Sequence, residues 1–244
     1  MPELVKPKAL LLIGRRNWEE DNGLNTILLS YLKTLNVIIL WEDPGGPFFH
    51  KMLGFENRIK WLPEKIKLFT TRVLQFALCI FKPGYYTYLK TRLTNSVDGR
   101  IASLEKRLEV LHDQYDLYIL SRSSGGVVAS KLADKWLLKQ LICISYPFEN
   151  PANGVEPYRF EHLENLRTPF VIFQGINDEY GGTEVVEKYK MSNNIKVCFV
   201  NADHNFNLDT ENWQYVLAKI KAIILADQSA ETNFTASQIA PLNR

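Results

Sequence analysis

Cysteine is scarce in this chain of 244 residues: Cys79, Cys143 and Cys198 are the only three, and no paired or metal-like spacing relates them. Two of them stand inside apolar runs, so they are expected to be reduced core thiols of a cytoplasmic protein. Histidine is almost as rare, with four residues and no His-x-x-x-His grouping. Neither a metal site nor a cofactor is therefore expected. Long hydrophobic runs are missing as well. Residues 73–81 span nine positions, against the ~20 that a transmembrane helix needs. The apolar run 9–13, flanked by Lys6 and Lys8, is too brief for a signal-peptide core, so no secretion is expected. No excess of one charge sets the chain apart either, since its formal net charge is +2.

What is present is a regular alternation. Ala9-Leu10-Leu11-Leu12-Ile13 is a continuous apolar run of strand length that ends at Gly14. Leu24, Leu28, Tyr31 and Leu35 then recur on one helical stripe that begins near Asp21 or Asn22, and Val37-Ile38-Ile39-Leu40-Trp41 follows as a second strand. Strand, helix, strand is the unit from which parallel sheets are built. Further runs at 117–120, 141–144, 170–173 and 197–200 are separated by segments that can hold helices, one of them striped by Val97, Ile101, Leu104, Leu108 and Leu111 with Asn95 or Ser96 as N-cap. A last helix carries Trp213, Val216, Leu217, Ile220, Ile223 and Ile224. The pattern predicts an α/β three-layer sandwich with a mostly parallel sheet of about six strands. A single domain over 1–226 is expected, with a polar, flexible tail over 227–244.

Charge is uneven along this frame. Between Phe48 and Ser96 there are nine basic residues and two acidic ones, interleaved with Trp61, Phe69, Phe76, Phe81 and a tyrosine cluster at 85–88. That segment, about 48–94, is expected to be a helical cap inserted above the pocket. Its basic and aromatic content, with Arg122 nearby, would suit an anionic substrate or peripheral contact with an anionic membrane, or would merely solvate the outer face of the cap. No nucleic-acid recognition motif accompanies the charge, so no nucleic-acid partner is expected.

Reactive groups in an open parallel sheet collect at the carboxyl ends of the strands. Leu120-Ser121-Arg122-Ser123-Ser124-Gly125-Gly126 joins a strand to a helix through a tight turn, as a nucleophile elbow does. Centring it on Ser123 places the small residues Ser121 and Gly125 two positions away on either side. Centring on Ser124 would place Arg122 there, which is too bulky. At the helix entrance, the N–H of Ser124 would face an oxyanion. The run is also compatible with an ordinary turn, but it lacks Gly-x-x-x-x-Gly-Lys-Ser/Thr, and the first strand end lacks Gly-x-Gly-x-x-Gly. Two later strand ends supply Asp178, in Gln174-Gly175-Ile176-Asn177-Asp178, and His204, in Asn201-Ala202-Asp203-His204.

With these residues, together with Tyr146-Pro147 and Thr168-Pro169, the chain resembles the α/β-hydrolase superfamily in its compact, dienelactone-hydrolase-like form, over roughly Lys8 to Ala226. The resemblance implies that Ser123 is the nucleophile, His204 its base and Asp178 the orienting acid, with an acyl-enzyme formed from a carboxylic ester or thioester. His162 and His112 are weaker candidates for the base. The first strand ends in Ile13-Gly14-Arg15-Arg16 rather than the family's His-Gly, so the second oxyanion donor is assigned to the backbone N–H of Arg15 or Arg16. That departure keeps a second possibility open: a weak or inactive hydrolase-fold protein that binds a partner through its basic cap.

Overall fold

The computed structural model describes residues 6–14, 18, 23–43, 45–46, 63–81, 85–94 and 96–237. Within residues 1–207, six strands form one sheet: β1 (Lys8–Ile13), β2 (Ile38–Trp41), β3 (Asp116–Arg122), β4 (Gln140–Ile144), β5 (Phe170–Gly175) and β6 (Ile195–Val200). The order is β2-β1-β3-β4-β5-β6, and every pairing is parallel. From β1 the chain moves outward to β2 and then returns to the other side of β1 as β3. The carboxyl ends of β1 and β3 therefore flank a topological switch point, where such sheets open a crevice.

Helices flank the sheet. A helical run over 23–35, here α1, is irregular: it starts as a wide π turn (Gly23–Leu28), passes through Leu29–Leu32 and tightens to a 3-10 turn (Lys33–Leu35). The stripe of Leu24, Leu28 and Leu35 is buried as the spacing predicts, although the winding is not uniform. Between β2 and β3 lie α2 (Glu64–Phe81), α3 (Tyr85–Thr94) and α4 (Val97–Leu111). Of the expected cap, 48–62 and 82–84 fall outside the described residues, while 64–81 and 85–94 are helical. Ser96 is the N-cap of α4 and accepts a hydrogen bond from Gly99 N at 3.0 Å, as a serine does at a helix start. Then come α5 (Ser124–Ala133) and the short α6 (Val185–Lys188).

The strands read as unbroken apolar runs because both faces are covered. Ala9, Leu11, Ile13, Leu117, Ile119, Leu141, Cys143, Phe170 and Ile172 form one core with Leu104 and Leu108 of α4 and Val127, Val128 and Leu132 of α5. The alternate residues Leu10, Leu12, Leu120, Ile142, Ile144 and Phe173 are equally buried. At roughly 1.5–3 kcal/mol for each such side chain removed from water, these two layers fix the strand register.

Residues 208–244 form a separate unit, built on the helix α7 (Thr210–Ser237). Trp213, Val216, Ile220 and Ile224 are its buried stripe. The helix continues past Asp227, where the apolar period ends, to Ser237. Gln228, Ala230, Glu231 and Ala236 in that stretch are among the better helix formers. Among the described residues, no helix is long and apolar enough to cross a membrane.

Candidate active site

Ser123 stands between the last residue of β3 and the first of α5 with φ 51° and ψ −129°, a conformation that costs a non-glycine residue about 1–3 kcal/mol. The strain is held by two backbone hydrogen bonds, Ser123 N to Ile144 O at 3.0 Å and Gly126 N to Ser123 O at 2.8 Å. It is also held by close packing of α5 on the sheet. A Cβ on Gly125 would stand 3.1 Å from Ile13 O, and one on Gly126 would stand 2.5 Å from Cys143 Sγ. The position that Ser121 occupies tolerates its hydroxyl, which donates to Ile142 O at 2.9 Å.

The three dispersed residues come together. Ser123 Oγ lies 3.0 Å from His204 Nε2, and His204 Nδ1 lies 2.9 and 3.0 Å from the two oxygens of Asp178. The carboxylate is fully buried, whereas the imidazole remains 14% exposed. The loop bearing His204 approaches β5 closely because Gly175 has no side chain: a Cβ there would meet Ala202 O at 2.4 Å.

Three further groups hold this arrangement, and none was foreseen in its role. Gln174, fully buried at the end of β5, donates from Nε2 to Asp178 Oδ2 at 3.0 Å and to Gly181 O at 2.7 Å, while its Oε1 accepts from Tyr146 N at 2.9 Å. A polar residue closing the otherwise apolar run Phe-Val-Ile-Phe is the signal that could have found it. Tyr180 donates its N–H to Asp178 Oδ1 at 2.8 Å and sets its ring 4.1 Å from the His204 ring. Arg122 is 3% exposed; its Nη2 donates to His204 O, and its Nη1 reaches Ile144 O at 3.4 Å. It braces the histidine loop against the elbow, so the expectation that it faces an anionic substrate does not hold.

Ser124 heads α5 with its backbone N–H directed along the helix axis beside Ser123, and its side chain is exposed. Arg15 and Arg16, assigned as the second oxyanion donor, lie outside the described residues. The N–H of Gly14 is engaged by Glu42 Oε2 at 3.2 Å. His112 sits at the end of α4, bonded to Leu108 O and edge-on to Trp136, and takes no part in the site. His162 pairs instead with Ser130, 2.7 Å away. Among the described residues, no cluster of His, Cys, Asp or Glu could hold a metal ion. The Cys143 thiol beneath α5 is pushed up to about 12 by burial and remains protonated.

Residues 83–226 match a family model described as an alpha/beta hydrolase domain. No curated protein matches the chain. Among solved structures, Est1E from Butyrivibrio proteoclasticus is similar with a TM-score of 0.54 and 12% identity, over 92% of this chain and 89% of that one. The esterase domain of a Rhodothermus marinus protein is similar with a TM-score of 0.52 and 13% identity, over 91% and 88%. A structure of the metagenome-derived lipolytic enzymes LipS and LipT gives 0.53 and 10%, over 90% and 94%. At these identities the likeness is one of fold.

Proposed function

We propose that this chain, which belongs to the alpha/beta hydrolase family, is a serine hydrolase that cleaves a carboxylic ester or thioester through an acyl-enzyme on Ser123. The observation that carries the proposal is the continuous line from a strained serine through His204 to a buried carboxylate. A serine hydroxyl is a poor nucleophile at neutral pH, so His204 Nε2 accepts its proton as Oγ attacks the acyl carbonyl. Asp178 holds the Nδ1–H tautomer and stabilises the imidazolium that forms. The Ser124 N–H receives the oxyanion, His204 returns the proton to the departing alcohol or thiol, and water then releases the acid by the same steps in reverse.

The test is covalent labelling with a fluorophosphonate probe. Labelling is expected in the native protein and absent in Ser123→Ala; a probe that still labels the variant removes the assignment.

Peripheral contact of α2 with an anionic membrane belongs to the same proposal. Ile66, Phe69, Val73, Phe76 and Ile80 recur three and four residues apart, and each is 47% to 70% exposed, so this helix turns a full apolar stripe to solvent. Arg72 borders the stripe on one side and Thr70 and Ala77 on the other. Anionic lipid headgroups satisfy both the apolar face and its basic border. Phe69→Asp with Phe76→Asp is expected to abolish co-sedimentation with phosphatidylserine vesicles, and wild-type protein that stays in the supernatant would sink the idea. Cytoplasmic residence is proposed on the three free cysteines, two of them buried.

A further inference from the structure

Arg100, in the first turn of α4, is a buried cation for which the triad has no use. It is 7% exposed, and its Nη1 donates to Ser124 Oγ at 2.8 Å. Its Nε is buried with no hydrogen-bond partner, and among the described residues no carboxylate pairs with it. Arg107 also carries a buried Nε without a hydrogen-bond partner, so what sets Arg100 apart is its contact with the residue that follows Ser123. Arg159 is paired with Glu156, and Arg122 reaches two backbone carbonyls. A guanidinium stays protonated at any physiological pH, so it cannot escape the cost of burial by becoming neutral. A neutral hydroxyl is weak compensation. Ser124 is itself exposed and directly follows the nucleophile, so the Arg100 and Ser124 donors form a pair at the edge of the reaction space.

We propose that Arg100, together with Ser124 Oγ, is the anion-recognition point of the substrate pocket, selecting esters or thioesters that carry an oxyanion, carboxylate or phosphate, close to the scissile carbonyl. The planar fork of a guanidinium matches either group with two parallel hydrogen bonds. The inference rests on the serine-hydrolase proposal above and deepens it by naming the substrate class. It also moves the anion-binding role, which chain position alone would give to Arg122, onto a residue 22 positions earlier on a neighbouring helix.

The experiment compares kcat/KM for p-nitrophenyl hemiadipate, which is anionic, with the neutral p-nitrophenyl hexanoate. The native protein is expected to favour the anionic ester. Arg100→Met is expected to lower the anionic-to-neutral ratio by about tenfold or more, and Arg100→Lys to restore part of it. Ser124→Ala, which keeps the backbone N–H, is expected to lower the ratio by a smaller factor and serves if Arg100→Met does not fold. Inhibition of hexanoate hydrolysis by glutarate or by inorganic phosphate distinguishes a carboxylate from a phosphate ligand, and in either case is expected to weaken in Arg100→Met. A ratio that moves less than about twofold, whether both rates fall together or neither does, overturns the proposal, since a purely structural arginine would act on both substrates alike. Absence of fluorophosphonate labelling in the native protein overturns the hydrolase proposal along with it; intact labelling without charge selectivity overturns this one alone.

Discussion

Ser123 Oγ lies 3.0 Å from His204 Nε2, and Ser130 Oγ lies 2.7 Å from His162 Nε2. By distance the second pair is the tighter one. Ser130 sits inside α5, buried, with its hydroxyl donating to Val127 O at 3.1 Å, so toward His162 it can only accept. The imidazole there is a donor, the wrong sense for a base. Its Nδ1 is buried without a partner, and burial, with Lys131 nearby, lowers its pKa to about 4. At the first pair a carboxylate fixes the other ring nitrogen, and a strained turn lifts the serine out of the helix. Proximity of a hydroxyl and an imidazole is therefore not what makes a reactive centre. The third group and the backbone that presents the serine are.

The comparison breaks most visibly when the third group is removed. Asp178→Asn keeps the shape of the first pair but no longer enforces the Nδ1–H tautomer, and kcat on a p-nitrophenyl ester is expected to fall by about 10⁴. Ser130→Ala is expected to leave kcat within about twofold while costing about 1 kcal/mol of stability, because the His162 N–H loses its acceptor. Equal losses in the two variants would erase the distinction. A smaller effect is expected at Gln174, which positions the acid without touching substrate. Gln174→Leu removes the amide from Asp178 Oδ2 and is expected to lower kcat about tenfold, or ~1.4 kcal/mol of barrier, with KM little changed. A rise in KM at constant kcat would show that Gln174 shapes the pocket instead.

The three residues of the proposed triad were legible in the chain because each lies within five residues of the end of an apolar run, and a parallel sheet brings such ends together whatever their separation in sequence. Gln174, Arg122 and Arg100 were not legible in their roles. Each depends on a neighbour brought in from elsewhere in the chain: Tyr146 N for Gln174, His204 O for Arg122 and Ser124 Oγ for Arg100. Strand ends were also understated. β3 begins at Asp116 and runs through Arg122, and β5 reaches Gly175, because ladder pairing requires backbone and not apolar side chains. The irregular winding of α1 leaves no mark on its leucine spacing, since π and 3-10 turns shift the stripe by less than its own width.

The second pair leaves its trace in stability. With its folded pKa lowered to about 4 by burial, from the ordinary 6.5 of a free imidazole, His162 binds a proton more readily in the unfolded chain than in the native one. Its contribution is complete above the unfolded value, declines as pH falls from about 6.5 toward 4, and declines no further once both states are protonated. His162→Gln, which can still donate to Ser130 but does not titrate, is expected to flatten that part of the profile. Thermal midpoints of the two proteins measured between about pH 7 and pH 4 are therefore expected to converge on the acid side, while activity near pH 7 is expected to stay within about twofold. Parallel midpoint curves would mean that the ring reaches solvent in the native state, and the contrast between the two histidines would then rest on Asp178 alone.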